Sequence, residues 1–226
     1  MSFYDLREFL KFLDSQGEFH RIEAKVDPEW EVGAICRENF DRGGPALQFN
    51  HVGNHQTPLV VGVLGKSKLY GLALGVQPIF KEIYAKWQVA FKNPIKPILL
   101  KTGPCKEITL EEINLYEDPF PVPRWHVLDG GPYLGTFHLV ISKDPETNWI
   151  NSGMYRNQIL AKDRLGIHLV NPGQHLGKNL EKWKRLKKPM PVAIAIGVNP
   201  YLSLASVIKI PEGVDEYDIA GGLRGS

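Results

Sequence analysis

The chain has 226 residues, 43% hydrophobic and 23% charged, which places it in the ordinary globular range, as one large domain or two small ones. With 27 Lys and Arg against 25 Asp and Glu, its net charge of +2 argues against a general polyanion binder, so no nucleic-acid partner is expected. Cys36 and Cys105 have neither metal-ligand spacing nor a disulfide pattern, and they read as reduced thiols of a cytosolic protein.

Ser2 and Asp5 resemble a capping box, and Leu6, Phe9, Leu10 and Leu13 follow at helical spacing until Gly17. The same stretch carries Asp5, Arg7, Glu8, Lys11 and Asp14, too many charges for the apolar part of a signal peptide. No apolar run approaches the ~20 residues of a membrane helix, so the expected location is the cytoplasm, with no membrane partner. "FHRIEAKV" reads as a strand and "PEWEVGAICRENFDRGG" as a helix with Pro28 near its first turn. "PALQFNHV" and "TPLVVGVLG" read as strands, the second apolar enough to be central. A helix is expected over 78–92, with Ile79, Ile83, Trp87 and Phe91 on one face. Alternating helix and strand suggests an α/β layer.

From residue 93 to 123, Pro94, Pro97, Pro104, Pro119, Pro121 and Pro123 break any long element. The expected domains are therefore 1–115 and 116–226. Beyond the prolines, "GTFHLVISKD" and "TNWINSGMYRNQIL" look like a hairpin around a Pro-Glu turn. "RLGIHLV" and "PVAIAIGV" are further strands, and the helix "LGKNLEKWKRLKKP" between them carries Leu176, Leu180 and Trp183 on one stripe. Strands with one inserted helix suggest a barrel or a curved sheet.

Several groups could carry chemistry. The basic run Lys178, Lys182, Lys184, Arg185, Lys187 and Lys188 fits a solvated helix face whose cations suit the C-terminal dipole. "WHVLDGGPY" with Asp129 reads equally as a structural turn or a binding loop. No G-x-G-x-x-G, Walker or nucleophile-elbow pattern is present. Asn151, Arg156, His175 and Glu216 each read as ordinary exposed polar residues. Brought together, an amide oxygen, an imidazole and a carboxylate would suit Mn²⁺ or Mg²⁺, and an adjacent Arg156 would suit a substrate carboxylate.

The motifs "DLREFL", "DGGPY", "NSGMYR", "PGQH" and "ASVIKIPEGVDEYDIAGGLRG", in this order and spacing, resemble the UbiD family of prenylated-FMN-dependent decarboxylases over essentially the whole chain. The resemblance implies an N-terminal α/β domain followed by a split β-barrel of flavin-reductase type, incomplete at its C-terminal end. It implies prenylated FMN, whose phosphate is bridged to protein by Mn²⁺ (or Mg²⁺) with K⁺ nearby. The divalent ion falls to Asn151, His175 and Glu216, and the backbone of Ala205 and Ser206 helps hold the monovalent one. Gln174 matches a cofactor contact, and Ser152, Gly153 and Met154 lie on the strand lining the flavin. Arg156 matches the arginine of a Glu-Arg-Glu catalytic network. Asn151 and Arg156 have opposite strand parity, so a bulge at Gly153 or a strand edging both sides of the site is expected.

The implied reaction is reversible non-oxidative decarboxylation of an aromatic or α,β-unsaturated carboxylic acid. Implied partners are that acid, a flavin prenyltransferase that supplies the cofactor, and further copies in a homo-oligomer. Family members run about twice as far, and the two glutamates, in a segment resembling "EIVLEG", have no counterpart in these residues. Three readings stand open: a fragment of a longer decarboxylase, one subunit of a split enzyme with a second polypeptide, or a non-catalytic flavin- and metal-binding module. An interaction protein derived from the family is the alternative outside enzymology.

Overall fold

The structure is a computed structural model that describes residues 2–117 and 119–225. Helix α1 (Leu6–Ser15) starts one turn later than the Ser2 cap expected from sequence. Asp5 accepts the Glu8 amide at 2.8 Å, and Glu8 reaches back to the Tyr4 amide at 2.8 Å. The reciprocal box is therefore Asp5 with Glu8, because the apolar stripe only begins at Leu6.

Strand β1 (Phe19–Val26) pairs in parallel with β2 (Ala46–Val52) across helix α2 (Glu31–Asp41). The expected central strand "TPLVVGVLG" is instead the short edge strand β3 (Leu59–Val61), antiparallel to β2. Gly62 and Gly65 break it, and helix α3 (Ser67–Leu74), not foreseen, takes up the apolar residues that follow. Helix α4 (Phe80–Lys92) lies within the expected range. Ile83 and Trp87 pack on the core, whereas Ile79 and Phe91 stay 51% and 41% exposed, so the foreseen face is only half used.

The proline-rich stretch 93–132 holds a single 3-10 turn, Pro104–Lys106, among the described residues. Two antiparallel three-stranded sheets follow. One has the order β4 (Tyr133–Gly135), β7 (Asn157–Ala161), β8 (Arg164–Ile167); the other has β6 (Ile150–Gly153), β5 (Leu139–Lys143), β9 (Val192–Ala195). The β5–β6 hairpin turns where expected, with Asp144 Oδ1 accepting the Glu146 amide at 2.8 Å. The run 147–160, expected as one strand, is two: β6 and β7 belong to different sheets. No closed barrel is formed by the described strands.

Helix α5 (His175–Arg185) precedes β9, and two unforeseen helices, α6 (Pro200–Ala205) and α7 (Glu216–Arg224), end the chain. Asn199 caps α6 on the Leu202 amide, and Asp215 caps α7 on the Tyr217 amide. The largest apolar cluster joins Phe9 and Leu13 of α1, Leu69 of α3 and Ala90 of α4 to Tyr201 of α6 and Leu223 of α7. It takes residues from both sides of position 115. Glycines allow α4 and α7 to meet closely: a Cβ on Gly222 would lie 2.8 Å from the Ala90 carbonyl oxygen. That packing fixes the start of α7, which carries Glu216.

Candidate cofactor and carboxylate site

Asn151 and Ser152 sit mid-strand in β6, each almost fully buried. The register with β5 runs without a break from Lys143↔Ile150 to Val140↔Gly153, so Gly153 carries no bulge. Its missing side chain serves another purpose: a Cβ there would lie 2.6 Å from Cε2 of the Tyr155 ring. The chain leaves β6 after Gly153, and residues 154–156 cross from one sheet to the other. That crossing takes Arg156 out of the strand that holds Asn151, so strand parity no longer relates the two.

Glu216, the first residue of α7, is 4% exposed and accepts the Ser152 amide at 3.0 Å. Burial pushes its carboxyl up to about 7, against the helix-start and Ser152 amides that favour the charged form. Ser152 Oγ lies 3.2 Å from Ser206 Oγ at the end of α6, beside the fully buried Ala205. Asn151 is 2% exposed, and its Nδ2 has no hydrogen-bond partner among the described residues. His175 opens α5 after Gln174, with its ring edge-on to Trp149 at 4.9 Å. Burial and nearby Lys178 pull its pKa down, so the neutral imidazole is favoured.

Tyr155, which the sequence reading passed over, joins these groups. Burial raises its hydroxyl, the Leu176 amide opposes that rise, and the nearby Glu216 adds to it. The start of α5 and Glu216 thus both bear on the ionisation of one buried phenol. No cluster of three or more His, Cys, Asp or Glu fit to hold an ion is found among the described residues. The expected trio has only two such residues plus an amide. Its chemistry nonetheless fits a divalent cation: a buried carboxyl with no ion pair among the described residues, an imidazole kept neutral by burial, and a buried amide whose oxygen would be the ligating atom. Met154 is half-buried against the main core, and Gln174 is exposed.

Arg156, beyond the crossing, donates from Nη2 to Asp129 Oδ2 at 3.0 Å and stacks its guanidinium 3.8 Å from the Tyr133 ring centroid. Asp129 and Arg156 are 27 positions apart, a spacing with no sequence signal, although the Gly-Gly-Pro turn beside Asp129 marked the loop. At the seam between the sheets, His138 and Asn157 are buried beside each other, and burial lowers the His138 pKa. The basic helix face is laced with ion pairs: Lys178 with Glu212, Lys182 with Asp144 and Glu146, Lys184 with Glu181.

Among known families, the 3-octaprenyl-4-hydroxybenzoate carboxy-lyase N-terminal domain matches residues 10–87, and the Rift-related domain of the same carboxy-lyase, UbiD, matches residues 98–226. The chain belongs to the UbiD family. A phenolic acid decarboxylase of Sedimentibacter hydroxybenzoicus is 32% identical over 236 residues, covering 97% of this chain and 48% of its own length. The UbiD-class enzyme HmfF of Pelotomaculum thermopropionicum, in an evolved dimeric form in complex with prFMN, superposes with a TM-score of 0.90 at 33% identity. That match covers 98% of this chain and 50% of the other. Vanillic acid decarboxylase of S. hydroxybenzoicus in its closed form gives 0.93 at 30% identity, over 100% of this chain and 49% of that one. The UbiD chain described here thus spans about half the length of the relatives it matches. No helix among its described residues is long and apolar enough to cross a membrane.

Proposed function

We propose that this chain is the cofactor- and carboxylate-binding half of a UbiD-type decarboxylase acting reversibly and without oxidation on an aromatic or α,β-unsaturated carboxylic acid. The observation that carries the reading is the buried Glu216 carboxyl, which accepts the Ser152 amide of β6 next to Asn151, on the strand whose chain continues into Arg156. Burial holds this carboxyl near neutrality without a cation, and a divalent ion bound beside it would favour the ionised form that can ligate.

In this reading Asn151, Glu216 and neutral His175 hold Mn²⁺ or Mg²⁺, and the backbone of Ala205 and Ser206 holds K⁺. Ser152, Gly153, Met154 and Gln174 line the cofactor. Prenylated FMN, when bound, supplies the electron sink for loss of CO₂. The protein's own part is to orient the acid and exclude water. Arg156, permanently cationic, fixes the substrate carboxylate by a directed fork and delivers no proton. The proton donor and the remaining strands of a split barrel would come from sequence corresponding to the relatives' other half, in the same chain or in a second polypeptide. The two-domain division 1–115 and 116–226, homo-oligomer formation and supply by a flavin prenyltransferase in the cytoplasm belong to the same proposal.

The test is native mass spectrometry of the chain co-produced with a flavin prenyltransferase. Mass for prenylated FMN and one Mn²⁺, both lost in Asn151→Ala and Glu216→Gln, is the expected result. A chain that takes up neither would refute the reading and favour an interaction protein of UbiD ancestry. Cofactor uptake without CO₂ release, even when the relatives' missing half is supplied, would mark a non-catalytic module.

A further inference from the structure

An arginine that receives a substrate carboxylate has to be held still, because its long chain otherwise swings through many rotamers. Arg156 leaves the sheet before its neighbours do: residues 154–156 belong to no strand, and only its carbonyl is tied down, accepting the His168 amide at 2.9 Å. What holds the side chain is the loop before β4. We infer that Asp129 and Tyr133 are positioning residues for Arg156, gripping one corner and one face of its guanidinium so that the remaining edge stays open for a carboxylate. The inference rests on the decarboxylase reading for the identity of that carboxylate, but not for the grip itself.

The grip is built independently of the arginine. Asp129 Oδ2, which accepts Arg156 Nη2 at 3.0 Å, also accepts the His126 amide at 3.1 Å, and the Asp129 amide donates back to the His126 carbonyl at 3.0 Å. This tight turn fixes the carboxylate before Arg156 arrives. Tyr133 is fixed at both backbone ends: its amide donates to the Pro123 carbonyl at 3.0 Å, and its carbonyl accepts Trp125 Nε1 at 3.2 Å. Across the β4–β7 pair Tyr133 lies opposite Gln158, two residues on from Arg156, which brings the ring within reach of the guanidinium. The stacking distance of 3.8 Å leaves no room for anything between them.

The open edge follows from counting donors. A guanidinium has five N–H groups, and Asp129 takes one of them without closing a bidentate fork. Asp129's side chain is 10% exposed, Arg156's is 35%: the acid is sealed in and the base looks out. Asp129 also neutralises the pair, so recognition of an incoming acid would rest on the direction of the free N–H groups more than on net charge.

The experiment follows the Arg156 side-chain Nε–H resonance by ¹H–¹⁵N NMR, assigned by its loss in Arg156→Lys, while titrating benzoate, with benzamide as the neutral control. Expected is a sharp Arg156 signal in the wild type, broadened in Asp129→Ala and in Tyr133→Leu. Benzoate should bind about tenfold more weakly in both variants, roughly the loss of one directed contact. Asp129→Glu, which keeps the charge and the acceptor, should restore the signal at least in part. Asp129→Asn, isosteric and suited to the same turn, serves where the alanine variant loses its fold. An ion pair of merely structural worth would lower the melting temperature in Asp129→Asn yet leave both the Arg156 signal and the benzoate affinity alone, and that result overturns the inference. So does tighter benzoate binding in Asp129→Ala, which would make Asp129 a competitor and not a guide. A wild type that binds no benzoate, with an Arg156 signal that still loosens in Asp129→Ala, supports the grip and sinks the decarboxylase reading instead.

Discussion

Glu216 offers a sharp energetic test of the site, because burial raises its pKa from 4.5 to about 7. Between those values the unfolded chain has given up the proton while the folded chain retains it. The carboxyl's stabilising contribution is therefore complete below pH 4.5 and is lost as pH rises through 7. At about 1.4 kcal/mol for each tenfold step in proton affinity, the full loss is about 3 kcal/mol. His175 and His138 oppose this trend, since burial lowers both and their share of stability rises with pH up to the unfolded histidine value. Comparing wild type with Glu216→Gln cancels them, because the amide oxygen can still accept the Ser152 N–H. Urea unfolding of the metal-free chain, followed by tryptophan fluorescence, should show the glutamine variant ahead by less than about 1 kcal/mol at pH 5 and by about 3 kcal/mol at pH 8. Mn²⁺, which favours the ionised carboxylate, should close that gap from the wild-type side. A difference between the two proteins that stays constant from pH 5 to pH 8 would refute the burial argument and the metal reading built on it.

Three further outcomes are expected. Gly153→Ala puts a methyl group 2.6 Å from the Tyr155 ring and should destabilise by about 1–3 kcal/mol; a denaturation midpoint equal to wild type would mean the ring is not seated there. Adding Tyr155→Leu should recover most of that loss in a double-mutant comparison. Asp5→Ala removes the acceptor for the Glu8 amide and should cost about 1 kcal/mol by thermal unfolding, whereas Asp5→Ser should cost only part of it. Lys182→Met strips the cation from the buried Asp144, whose carboxyl is held below the usual range by Lys182 and two amides in spite of burial. Its urea midpoint should fall at pH 7, and the gap to wild type should narrow toward pH 3 as that carboxyl is protonated; an equal gap at both would refute the ion pair's role.

Periodicity alone identifies α1, α2, α4 and α5, because a helix is decided by neighbours three and four residues apart and those lie in the sequence itself. The same locality explains the β5–β6 hairpin, whose turn residues sit between the strands they join. The UbiD motifs likewise mark the family from order and spacing, and family matches over 10–87 and 98–226 agree with them. What the one-dimensional pattern left undecided was long-range. An apolar run such as 57–65 looks central, yet β3 lies at an edge, pairing with β2 alone among the described strands. The run 147–160 looks like one strand, yet three residues of it span two sheets, and only the pairing partners of β6 and β7 reveal the crossing. Asp129 and Tyr133 carry no sign of their association with Arg156, since side chains separated by more than twenty positions meet only after the backbone has been routed. Composition and periodicity determined which segments could be helix or strand; tertiary packing decided which of their polar residues share a site, because burial and hydrogen-bond partners exist only once distant segments touch.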